Sequence, residues 1–122
     1  MIDTSAKPEI VKKGWGEEVI IVNNDEYCGK ILKINAGHEF SFHFHKLKLE
    51  TFYVLKGIAA LKYLDLATGE ELQATLQKGD IVHIPRCEPH QISADFDTEI
   101  IEFSTHHEDS DSYRIAKGDS QR

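Results

Sequence analysis

Cysteine, proline and basic charge are all scarce in this chain of 122 residues, and each shortage excludes something. Two cysteines, Cys28 and Cys87, are too few and too far apart for the disulfide framework of a small secreted domain, so a reducing compartment is expected. No apolar run exceeds four residues (Val19–Val22), far below the roughly 20 that a membrane-spanning helix needs. With 14 Lys+Arg against 21 Asp+Glu the formal net charge is -7, a surface that repels phosphate backbones. The opening residues Met1–Pro8 carry an early acid, Asp3, and no apolar leader segment. The expectation is a cytoplasmic protein with no nucleic-acid and no membrane partner.

Helical periodicity is missing as well. Apolar and polar residues alternate with a period of two in short runs: 18–23, 28–34, 39–45, 51–55, 58–65, 71–76, 81–84, 91–94 and 98–104. Turn residues such as Asn23-Asn24-Asp25, Thr68-Gly69 and Lys78-Gly79-Asp80 separate them. Short strands at this spacing indicate an all-β sandwich or barrel. One domain over residues 1–122 is expected, burying roughly two-thirds of the surface its unfolded chain exposes. The final residues, after an acidic stretch at Glu108–Asp111, are expected to fray.

Alternation in 39–45 places Ser41, His43 and His45 on one side of a strand and Phe40, Phe42 and Phe44 on the other. If the histidines line a cavity, the phenylalanines need a cover, either a second subunit or the N-terminal segment. Histidines at i and i+2 project the same way, with Cβ atoms about 7 Å apart, and can converge on one ion. A hairpin return after His45 brings Glu50 beside them. Pro85 and Pro89 fix a turn that aims His90. Three imidazoles and one carboxylate suit one divalent transition metal (Mn, Fe, Zn, Ni or Co), and a six-coordinate ion keeps two positions open.

These residues also fall into a known pattern. The order Gly37, His43-Phe44-His45, Glu50, Gly57 resembles the first motif of the cupin superfamily, with every interval fitting. Gly79, Pro85 and His90 resemble the second motif (79–94), with Cys87 standing where that motif has glycine and Ala94 where it has asparagine. The resemblance implies a cupin (double-stranded β-helix, jelly-roll) barrel in which His43, His45, Glu50 and His90 are the metal ligands. Cys87 bears on the turn, because a glycine there can supply a positive φ. The segment Lys13-Gly14-Trp15-Gly16-Glu17 and the tail from Glu102 through Glu108-Asp109 to Arg114 are similar to the phosphomannose isomerase type II and sialic-acid-synthase-associated cupins. That likeness implies sugars or sugar phosphates as substrates, with Trp15 as a plug over the barrel.

The expected function is therefore a metal-dependent isomerase or epimerase on a sugar or sugar phosphate. The alternatives are an iron-dependent dioxygenase or decarboxylase, and a non-catalytic sugar-binding module. Glu102 is the candidate base. Lys48, Arg86 and Arg114 are candidates to anchor a phosphate or carboxylate. His38 is expected to be structural, His83 buried or at an interface, His106 and His107 exposed, and Tyr53 turned outward. The phenylalanine face and the resemblance together lead to an expected homodimer.

Overall fold

Alternation becomes two antiparallel sheets in the computed structural model, which describes residues 1–122 throughout. The larger sheet has six strands in the order β1 (Glu9–Lys13), β2 (Gly16–Asn23), β3 (Cys28–Ile34), β10 (Thr98–Ser104), β5 (Glu50–Lys56) and β8 (Ile81–Ile84). The smaller has five, in the order β11 (Ser112–Ala116), β4 (Phe42–His45), β9 (His90–Ala94), β6 (Ile58–Leu64) and β7 (Glu71–Gln77). Both sheets join strands distant in sequence, as in a jelly roll: β10 is zipped between β3 and β5, and β4 lies between β11 and β9. No helix is long and apolar enough to cross a membrane.

The core lies between the sheets. Leu32, Ile34, Phe52, Val54 and Ile100 of the larger sheet meet Ala59, Leu61, Leu76, Ile92 and Ala94 of the smaller. Burying each large member contributes about 1.5–3 kcal/mol, so the apolar half of the barrel anchors the polar half. Gly57, the glycine that ends the first motif, turns β5 into β6 at φ +97°; a Cβ there would collide with the backbone of Asp97 and Thr98. Trp15 is buried and meets the Phe40 ring edge-on at 6.2 Å, closing the core beneath the cavity.

Four expectations are corrected. Alternation fails at residue 40: β4 begins only at Phe42, and the Phe40 ring points inward, 5.5 Å from the His43 ring and 6.3 Å from His90. The reason is a break in regular pairing. Phe40 donates its N–H to Ile92 O and accepts from the Gln91 side chain, so the chain enters β4 irregularly. Phe42 and Phe44 are covered by their own sheet, Phe42 beneath Lys62 and Phe44 stacked on Tyr113 at 5.2 Å, while β1 pairs with β2 at the far edge of the other sheet. The C-terminus does not fray: Asp119 accepts from the Glu39 N–H and contacts His38 Nδ1, and Arg122 binds both Asp119 and Glu39. His83 is exposed on this chain, hydrogen-bonded to Thr51 on the outer face of the larger sheet, so it is not a buried histidine.

Candidate metal centre

His43 and His45 leave β4 on its inner face, and His90 opens β9 directly opposite His43 in register. Glu50 opens β5 in the facing sheet. The three histidines place one ring nitrogen each within 4.8 Å of the others. His90 Nε2 lies 3.1 Å from Glu50 Oε2, and His45 Nε2 lies 3.6 Å from Glu50 Oε1.

The tautomers follow from what each Nδ1 faces. His43 Nδ1 is 2.7 Å from Ser41 O, His45 Nδ1 is 3.2 Å from Asp111 O, and His90 Nδ1 is 3.0 Å from Glu88 O. A backbone carbonyl can only accept, so each Nδ1 carries the proton and each Nε2 keeps a lone pair turned to the centre. His45 Nε2, His90 Nε2 and Glu50 Oε2 are all buried with no hydrogen-bond partner. Lone pairs this close repel unless a positive species lies among them. One divalent cation satisfies every one of these atoms at once, and three imidazole nitrogens with one carboxylate oxygen are a donor set for a first-row divalent ion.

Electrostatics favour the ligand-ready forms. Burial, with the neighbouring His90 and His45, lowers the pKa of His43 to about 3. Burial lowers that of His45 to about 4 against the opposing pull of Glu50. Burial by itself would raise the pKa of Glu50, but the Lys48 ammonium beside it holds it well below the usual carboxylate range. At neutral pH the site is two uncharged imidazoles and a carboxylate, with no proton to displace from them.

The hairpin between His45 and Glu50 is held from β11's side. The buried Asp111 carboxylate accepts the backbone N–H groups of Lys46, Leu47 and Lys48 at 3.0–3.2 Å, while its own carbonyl receives His45 Nδ1–H. In the sequence this acid is only the last of the acidic stretch Glu108–Asp111. Only the return of the tail onto β4 shows that it organises the ligand loop.

The centre opens on a polar cavity of about 370 Å³. Lys48, expected to be free for substrate, is buried instead, with Nζ 2.8 Å from Glu50 Oε1, 3.1 Å from Glu102 Oε2 and 2.8 Å from His107 Nδ1. Glu102 lines the cavity, and its bonds from Lys48 and from Ser104 Oγ both fall on Oε2. Arg114 also lines it, in register with His43 and with no carboxylate at salt-bridge distance. Arg86 does not: its Nε donates to Leu47 O outside the lining. His107, expected to be exposed, is a half-buried wall residue bonded to Asp109. Only the long-range pairing of the tail could have revealed it.

A family model described as the cupin domain matches residues 30–106, well over half of the chain. The chain is a cupin. No curated protein matches it by sequence. Among solved structures, the capsular polysaccharide assembling protein CapF from Staphylococcus aureus superimposes with a TM-score of 0.80 at 20% identity, over 93% of this chain and 33% of that one. Oxalate decarboxylase from Bacillus subtilis superimposes with a TM-score of 0.76 at 16% identity, over 88% of this chain and 30% of that one. This cupin thus spans about a third of either protein, and at such identities the likeness concerns the fold.

The second-motif departures are both accommodated. Cys87 takes the glycine-like φ of +70°, the one non-glycine residue with positive φ, and its N–H donates to His45 O, tying the His90 loop to β4. Ala94 is simply part of the core. Both thiols are free, with Cys28 buried and Cys87 exposed.

Proposed function

We propose that this cupin is a metal-dependent enzyme on a small polar substrate, a sugar or sugar phosphate, acting as an isomerase or epimerase. The observation that carries the reading is the set of unpartnered atoms, His45 Nε2, His90 Nε2 and Glu50 Oε2, converging at the wall of a cavity of about 370 Å³. That volume lies within the range of small-molecule sites. His43, His45, His90 and Glu50 would hold the ion, which supplies Lewis-acid stabilisation to a developing oxyanion on the substrate. Arg114, facing the cavity beside His43 without a carboxylate partner, neutralises a phosphate or carboxylate on the bound molecule. Glu102, with both its hydrogen bonds on one oxygen, offers the other to a substrate proton. Trp15 and Phe40 form the apolar floor that excludes water from beneath. The fold likeness to a capsular polysaccharide assembling protein supports a sugar substrate.

Metal analysis of the isolated protein, with proton exchange from sugar phosphates in heavy water, tests this reading. Near one equivalent of a single divalent metal and metal-dependent exchange are expected. Absence of metal after reloading refutes it. Oxygen uptake or carbon dioxide release in place of exchange would move the assignment to a dioxygenase or decarboxylase. Sugar binding that survives metal stripping would move it to a non-catalytic module.

Two copies are proposed to pair through the outer face of the larger sheet. There Ile10, Val19, Ile31, Ile101, Tyr53 and Ile81 form one continuous cross-strand row over all six strands. Six strands span roughly 24 Å, wide enough with their side chains for the approximately 800 Å² that a standard dimer buries per partner. Light scattering that shows a dimer, converted to monomer by Ile101→Lys, is the expected result; a monomeric wild type refutes it.

A further inference from the structure

Few buried charges lie outside the ligand set, and most have a self-contained structural role. Lys30 and Glu18 neutralise each other at 2.8 Å, and Asp111 caps the ligand hairpin. Lys48 is different, because it touches a ligand. Its ammonium has three hydrogens and meets three acceptors: Glu50 Oε1, Glu102 Oε2 and His107 Nδ1. His107 accepts there because its Nε2–H is given to Asp109 Oδ1 at 3.0 Å. No hydrogen of Lys48 is left for a substrate. Of the two Glu50 oxygens, Oε1 is committed to Lys48 and Oε2 alone has no donor.

We propose that Lys48 is a positioning residue that confines Glu50 to one-oxygen coordination of the metal and so keeps open the positions that a substrate needs. The inference rests on the metal reading above. A carboxylate with both oxygens free can chelate a cation, closing a coordination position. Here a second Glu50–metal bond would have to displace a buried, charge-assisted hydrogen bond, leaving the ammonium short of an acceptor. Glu102 and His107 hold the ammonium from behind, so it cannot swing away. Lys48 is also a fixed positive charge next to the ion, and like charges in a buried site repel strongly. The two possible roles therefore differ in sign. If Lys48 were only structural support, its loss would weaken metal binding. As a competitor for Glu50, its loss strengthens metal binding and changes the coordination.

The experiment loads wild type, Lys48→Gln and Lys48→Arg with Co(II), then records visible absorption, affinity against a chromophoric chelator, and uptake of oxalate as a two-oxygen probe. Lys48→Gln is expected to bind Co(II) about tenfold more tightly, with altered d–d bands and weakened oxalate uptake. Lys48→Arg is expected to keep the wild-type spectrum. Unchanged d–d bands in Lys48→Gln, together with equal or weaker Co(II) affinity, overturn the role of Lys48 alone. A wild type that takes up no Co(II) overturns the metal reading and this inference with it. Should Lys48→Gln fail to fold, Lys48→Met/Glu102→Leu removes both members of the buried pair without a change in net charge, and must show the same altered d–d bands and weakened oxalate uptake.

Discussion

Replacing Asp111 takes a negative charge away from three backbone N–H groups and loosens the carbonyl that orients His45. In the native protein the carboxylate receives Lys46, Leu47 and Lys48 N–H at 3.0–3.2 Å, and burial makes water a poor substitute. Hydrogen bonds to a charged acceptor contribute about 1.5–3 kcal/mol each, but they share one carboxylate, and part of the loss is recovered as the turn reaches solvent. A net loss of about 3 kcal/mol is expected for Asp111→Ala, which lowers Tm by roughly 12 °C in a domain of this size. Asp111→Asn keeps one acceptor but turns an amide towards the other donors, and should lose about half as much. The larger effect falls on the metal. Residues that orient ligands typically change affinity by about 10–100-fold, and Asp111 orients both His45 and the hairpin that delivers Glu50. Calorimetry of the metal-free variants and chelator competition for Zn(II) read the two effects separately. An Asp111→Ala protein with a Tm within about 3 °C of wild type and Zn(II) affinity within about twofold would refute the reasoning.

The remaining predictions address the ligands, the turn and pH. Zinc at about a hundredfold excess over its Kd should stabilise the wild type by about 2.7 kcal/mol, raising Tm by roughly 10 °C. His43→Ala/His45→Ala should fold and show no such rise, and an equal rise in calorimetry would place the ion elsewhere. Cys87→Gly relieves an L-residue at φ +70° and should stabilise by about 0.5–1 kcal/mol after the greater unfolded-state freedom of glycine is subtracted; a lower Tm would count against strain at this turn. The pKa values of His43 and His45 fall from an unfolded value of about 6.5 to about 3 and about 4 on folding. Between those limits the unfolded chain binds more protons, so metal-free stability is full above about pH 6.5 and declines as pH drops through the window. Denaturant titrations at pH 7, 6 and 5 should show a falling midpoint, and a rising one would contradict the burial of neutral rings.

The ligand spacing was legible in the sequence because it is local. His43 and His45 share a face by strand geometry alone, and Glu50 and His90 were marked by the intervals from Gly37 to Gly57 and from Gly79 to His90 that resemble the cupin motifs. Nearly every strand from β2 to β10 was likewise legible from alternation and turn residues. The first and last strands were not. β1 and β11 are short and polar on much of their surface, and an edge strand is stabilised by the partner it finds rather than by its own pattern. Parity reasoning failed at Phe40, where the chain is irregular before β4, and the expectations of a substrate-facing Lys48 and an exposed His107 failed because the two meet each other and Glu102 across more than fifty positions of sequence.

Sequence by itself determined the short strands of a β-barrel and their turns, because strand periodicity and turn stereochemistry act over a few residues, while the four candidate ligands were marked by a spacing that resembles the cupin motifs. Tertiary structure alone decided which nitrogen of His45 faces the centre and that Asp111 holds the ligand hairpin. It also decided that Lys48 serves Glu50 rather than solvent and that Arg114 is the cation left facing the cavity. The roles of Asp111 and Arg114 depend on β11 closing against β4, and that of Lys48 on β10 pairing with β5; no local pattern encodes which acceptor a buried donor will find across such distances.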